Sequence, residues 1–139
     1  MLGLMAGYSG TPLWKKLGYK ADMTAYVYGA PKSYLRQLRL PADVSVKWVK
    51  HPTSGMDFVH LFTASRADLK AKLQSMRHSI APRGAVWVSW PKKTSGVPSD
   101  ITENLVREVA LPLGFVDIKV CAVDEIWSGL KLVIRKENR

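Results

Sequence analysis

The apolar positions of this chain fall into two kinds of pattern. Thr24-Ala25-Tyr26-Val27-Tyr28, Asp57 to Thr63 and Ala85 to Trp90 are short, nearly continuous apolar runs. Val44 to Val49 and Val116 to Val120 alternate apolar with polar. A continuous run of this length predicts a strand covered on both faces; alternation predicts a strand with one wet face. Between them lie stretches with helical spacing. Ser65 caps a helix reaching about Ile80, with Asp68 as a capping-box partner and Leu69, Leu73, Met76 and Ile80 on one stripe. Asp100 and Glu103 form a second capping-box pair, ahead of the stripe Ile101, Leu105, Val109 and the terminators Pro112 and Gly114. Shorter helices are expected from Thr11 to Gly18 and from Pro31 to about Leu38, each with a proline at its first turn. Pro82-Arg83-Gly84 reads as the turn that leads into Ala85. Gly129 to Arg135 completes the set of six strands, joined to the fifth by Asp124 to Ser128.

Strands that alternate with helices predict an α/β fold with a mainly parallel sheet. The apolar runs place the first, third and fourth strands centrally, and the alternating second and fifth towards the edges. The short link between the fifth and sixth makes that pair antiparallel. The order 2-1-3-4-6-5, with the sixth strand antiparallel, meets every condition: a Rossmann-like three-layer sandwich. It puts a topological switch point between strands one and three, where ligands of such sheets bind beyond the strands' carboxyl ends.

A length of 139 residues suits one domain, spanning 1–139 with residues 1–10 loosely ordered. The single cysteine, Cys121, excludes an internal disulfide and a cysteine-rich zinc site. No apolar run is long enough to cross a bilayer, and the start MLGLMAGYSG lacks a signal-peptide pattern, so a cytoplasmic location and no membrane partner are expected. The net charge of +10 is uneven: residues 1–99 carry 15 Lys/Arg against 4 Asp/Glu, residues 100–139 carry 6 against 7. That balance points to an acidic partner, whether nucleic acid, a small anionic ligand such as a phosphorylated metabolite, or an acidic protein, and equally suits an evenly basic soluble surface.

Two stretches carry a resemblance. DFVHLFTASRADLKAKLQSMRHSIAPRGAVWVSWPKK and LPLGFVDIKV…GLKLVIRK are similar to the second half of class I methyltransferase folds: strand, helix, a Pro-Gly turn, strand, then a final antiparallel pair. YSGTPLWKKLG, SWPKK and VCAVDEIWSGLKLV resemble a family of small bacterial proteins known as a domain of unknown function, which implies the same fold and no particular activity. The methyltransferase resemblance implies S-adenosylmethionine as cofactor and methyl transfer as reaction. The residues depart from that pattern. The turn after strand one offers Gly29 alone where a glycine-rich loop is expected. Strand two ends Val49-Lys50-His51, where an acidic residue would hold the ribose. The chain is also short by one helix–strand unit between strands two and three. Adenosylmethionine is therefore not expected in the usual pose.

Candidate site residues lie on three loops at the carboxyl ends. After strand one come Gly29, Pro31, Lys32 and Ser33, with backbone N–H groups at the next helix start available to an anion. After strand three come Thr63, Ser65 and Arg66; Ser65 is simplest as a helix cap. After strand four, SWPKKTSG offers Lys92, Lys93 and Ser95. A lysine pair there suits a phosphate or carboxylate, and equally a solvated loop. Asp124 and Glu125, the one adjacent acidic pair, are candidates for acid/base work or for pairing with Lys92 and Lys93; the simpler and preferred reading is a turn beneath a buried Trp127 lid. His60, inside a strand, reads as a packed residue, Cys121 as a structural thiol and the five tryptophans as mainly core. The reading that follows is a protein binding a small anionic ligand on a degenerate methyltransferase-like scaffold. The alternatives are an active methyltransferase with an altered cofactor site and a nucleic-acid-associated basic protein.

Overall fold

A computed structural model describes residues 10–139; the start of the chain, expected to be loose, lies outside them. Six strands form one sheet in the order β2-β1-β3-β4-β6-β5. They are β1 (Thr24–Tyr28), β2 (Lys47–Val49), β3 (Met56–Phe62), β4 (Ile80–Pro91), β5 (Phe115–Ala122) and β6 (Trp127–Ile134). β1 runs parallel to β2 and β3, and β3 to β4; β6 is antiparallel to both β4 and β5. The predicted order and directions hold.

Helices cover both faces. α1 (Leu13–Leu17) and α2 (Tyr34–Leu38) lie on one, α3 (Arg66–Ser79) and α4 (Glu103–Ala110) on the other. The face under α3 and α4 buries Leu69, Leu73 and Met76 against Val59, Leu61, Val86 and Val88. Each such side chain is worth roughly 1.5–3 kcal/mol in apolar area removed from water. The opposite face packs Leu17, Tyr19 and Leu38 onto Ala25, Phe58 and Trp87. The Trp87 indole N–H also donates to the Leu17 carbonyl at 2.7 Å, which ties α1 to the sheet centre.

Several boundaries differ from the sequence expectation. α2 starts at Tyr34, because Pro31 to Ser33 form a turn in which the Tyr34 N–H bonds the Pro31 carbonyl at 3.0 Å. In α1, Pro12 stands at the N-cap rather than at the first helical position. α4 is capped by Thr102, whose hydroxyl accepts from the Leu105 N–H, not by Asp100. Asp100 instead accepts from the Arg66 N–H at 2.7 Å and holds the start of α3. The α4 stripe is shifted by one: Val106 and Ala110 are fully buried, Leu105 and Val109 only partly. Pro82-Arg83-Gly84 does not end the helix in a free turn. β4 begins at Ile80, pairs it with Met56, and bulges before pairing Ala85 with Phe58. β2 is shorter than expected. Trp127 and Ser128 belong to β6, so the β5–β6 connection is Val123 to Ile126.

Candidate functional site

The loops after β1, β3 and β4 emerge side by side, because Tyr28 pairs with Leu61 and Phe62 with Ser89. Gly29 turns with φ +71°, and a Cβ there would stand 2.5 Å from the Phe62 carbonyl oxygen. The missing side chain is thus required by the neighbouring strand, not kept clear for a ligand.

A cavity of about 260 Å³ opens at the carboxyl ends of β1 and β2. Val27 and Ala30 line it from β1 and its exit, Pro31 and Lys32 from the turn, Tyr34 and Leu35 from α2, and Trp48 and Val49 from β2. Trp48 is 39% exposed and Leu35 58%, so two large apolar side chains face solvent around this opening. Trp48 departs from the expectation of a packed tryptophan: its strand is the sheet edge, and among the described residues no further strand covers it. A smaller cavity of about 190 Å³ lies between α3 and α4, bordered by Arg66, Lys70, Glu108 and Leu113.

Of the ten residues singled out in the sequence, Pro31 and Lys32 line the larger cavity. The others sit on the expected loops, but most of their polar groups have partners inside the protein. Ser33 Oγ accepts from Gln37 Nε2 at 2.8 Å. Thr63 donates to Asp68 at 2.9 Å, and Ser65 caps α3 through the Asp68 N–H. The Asp68 carboxylate also accepts from the Tyr28 hydroxyl, so it clips β1 and β3 to α3. Arg66 borders the α3–α4 cavity, on the other side of the sheet from α2. Lys92 donates to the Asp124 backbone carbonyl at 2.9 Å, not to a carboxylate. The Asp124 carboxylate caps its own turn, accepting from the Ile126 and Trp127 N–H groups at 2.8 Å. Ser95 donates to the Lys92 carbonyl at 2.6 Å, while Lys93 stands exposed at the start of a 3-10 turn. The helix start after β1 makes no anion cradle: α2 has five residues, and its first N–H is taken by Pro31.

A chain of buried polar groups escaped the sequence reading. His60 Nδ1 meets the Tyr34 hydroxyl at 2.8 Å and Nε2 meets Ser89 Oγ at 2.7 Å. Tyr34 in turn meets the Tyr19 hydroxyl at 2.7 Å. Burial pushes the His60 pKa down to about 3, so the imidazole is neutral; it pushes both tyrosines up. A serine on a neutral histidine has the chemistry of a nucleophile and its base. Yet His60 and Ser89 are 0% exposed, so no substrate reaches them, and the chain ties α2 to β3 and β4. The signal was local: His60 and Ser89 each interrupt an apolar run. Their partners came from elsewhere in the sequence. Cys121 is buried with its thiol pKa raised by burial, as expected of a structural thiol.

Solved structures share this topology. The chain is similar to a SAM-dependent methyltransferase from Aquifex aeolicus, with a TM-score of 0.60 and 14% identity over 86% of each chain. A TehB-like SAM-dependent methyltransferase from Corynebacterium glutamicum gives 0.55 and 10%, covering 94% of this chain and 91% of that one. The fibrillarin pre-rRNA processing protein of Methanococcus jannaschii gives 0.53 and 9%, covering 89% and 69%. The fold is methyltransferase-like. At these identities the likeness is one of fold alone. Neither a protein-family model nor a curated protein matches the sequence. Among the described residues, no helix is long and apolar enough to cross a membrane, and no cluster of His, Cys, Asp and Glu is placed to hold a metal ion.

Proposed function

We propose that the protein binds a small anionic molecule with a compact apolar body at the carboxyl ends of β1 and β2. The observation that carries this reading is the composition of the cavity there. Its walls are apolar, Trp48 gives a flat partly exposed surface, and Lys32 stands at the mouth with no acidic residue among the described lining. At about 260 Å³ it sits just below the ~300–1,000 Å³ of ordinary ligand pockets, which favours a ligand of one ring or a short aliphatic chain. The neighbouring loop of Lys92, Lys93 and Ser95 is a second candidate contact, with Lys93 the lysine whose charge faces solvent.

Methyl transfer from adenosylmethionine is the rival reading, favoured by the proteins that share the fold. The residues here do not fit that cofactor. The space a glycine-rich turn would leave is filled by the Phe62 carbonyl against Gly29. Among the described residues, no carboxylate lines the cavity to take ribose hydroxyls or offset a sulfonium. The resemblance to a small bacterial family adds no activity to either reading.

The test is calorimetric titration of the protein with phenyl phosphate, benzoate and adenosylmethionine. The proposal predicts binding of the aromatic anions, weakened about fivefold or more by Lys32→Ala, since a partly exposed charge-assisted hydrogen bond is worth about 1 kcal/mol or more. Binding of adenosylmethionine alone, indifferent to Lys32, would establish the rival.

A further inference from the structure

The face of the sheet under α1 holds a second feature, made of residues other than those lining the cavity. Lys119 on β5 and Lys131 on β6 are direct cross-strand partners. Lys119 Nζ donates to the Lys16 carbonyl at 3.0 Å. Lys131 Nζ lies 3.0 Å from where a Cβ on Gly18 would stand and 6.0 Å from the Trp87 ring centroid. Lys16 lies near the end of α1 and Lys20 follows it. The charges of Lys16 and Lys119 both act on the Cys121 thiol, and those of Lys119 and Lys20 on the Lys131 ammonium, so the four lysines share one region of the surface.

Part of this has a plain explanation. Cations are favoured at the carboxyl end of a helix, and Lys119 satisfies one of its carbonyls. A five-residue helix offsets little charge, however. Among the described residues the ion pairs are those of Arg107 with Glu103 and Asp117, so no described carboxylate pairs with these lysines. Like charges directly opposite on antiparallel strands are unfavourable. Lys131 is also half-buried: burial, and then the charges of Lys119 and Lys20, pull its pKa below the usual lysine range. An anion carrying more than one negative charge relieves all three effects at once.

We infer that Lys16, Lys20, Lys119 and Lys131 bind phosphate groups of a nucleic-acid strand lying across the α1 face. The open setting selects a polymer over an enclosed metabolite. Lys20 and Lys119 are exposed, and the two cavities described above are bordered by other residues. Phosphodiester backbones are held in this way, by charge on an open surface, and a net charge of +10 draws them in.

The experiment is fluorescence anisotropy with a labelled single-stranded oligothymidylate over a range of salt concentrations. Affinity should fall linearly on a log–log plot. Lys119→Gln with Lys131→Gln should weaken low-salt binding at least about tenfold and flatten the slope by about 1.4, about 0.7 for each phosphate no longer neutralised. Lys131→Met, which keeps the apolar stem over Trp87, should show about half of the slope change with no fall in thermal midpoint. Lys70→Gln, on the opposite face, should bind like the wild type. The inference is overturned if the lysine variants bind as tightly as the wild type, or if Lys70→Gln loses as much. It is also overturned if inorganic phosphate, or anionic lipid vesicles, displace the strand at micromolar concentration, since the site would then serve another ligand.

Discussion

His60 makes this fold sensitive to acid in a way that can be worked out in advance. Its imidazole is fully buried between Tyr34 and Ser89, and its pKa falls from 6.5 to about 3. The folded value lies below the unfolded one, so the unfolded chain binds the extra proton first. The stability tied to neutral His60 is complete above pH 6.5 and is lost as pH falls towards 3. Each unit in that window costs about 1.4 kcal/mol. Between pH 7.5 and pH 4.5 the loss is about 2.7 kcal/mol, a large part of the 5–15 kcal/mol that holds an ordinary domain. Asp117, whose carboxyl is held below the usual range by its hydrogen bond to Arg107, acts only in more acidic solution. The assay is urea denaturation at pH 7.5, 6.0 and 4.5 on the wild type and on His60→Gln. The glutamine still offers a donor and an acceptor but cannot be protonated here. It should start less stable and lose about 2.7 kcal/mol less over the same interval. Parallel losses in the two proteins would refute a buried neutral histidine.

Four further outcomes follow from the geometry. Gly29→Ala places a side chain at φ +71° and against the Phe62 carbonyl, so it should cost more than the ~1–2 kcal/mol of the backbone conformation alone, read from the urea midpoint. Thr102→Ala should cost about 1 kcal/mol by removing the α4 cap, and Asp100→Ala should leave α4 helicity intact while raising amide exchange at the start of α3. Trp87→Phe leaves the Leu17 carbonyl without its indole donor and should cost about 1–3 kcal/mol, with faster amide exchange in α1 as its local signature.

The sheet is legible in the sequence because each clue to strand order is local. Nearly continuous apolar runs mark β1, β3 and β4 as covered on both faces, and a short link forces β5 and β6 antiparallel. The α4 cap is not: Asp100 has a glutamate three positions on and Thr102 does not, so the local pattern favours Asp100, and only its contact with Arg66 leaves the cap to Thr102. The cavity is out of reach for a similar reason. The edge position of β2 is legible, but not that Trp48, expected in the core, stays partly uncovered there beside Lys32. The loop lysines and hydroxyls look available in sequence, but whether Lys92 meets a ligand or the Asp124 carbonyl depends on a hairpin 32 residues away. The buried chain through Tyr19, Tyr34, His60 and Ser89 needs four separate segments to converge.

The most direct test of the ligand assignment is a ¹H–¹⁵N correlation spectrum of the wild-type protein recorded during titration with phenyl phosphate. The account predicts saturable shifts at the amides of Ala30, Lys32, Leu35 and Val49 and at the Trp48 indole. Shifts confined to Lys92 through Gly96, or no saturable shift at all, would contradict it.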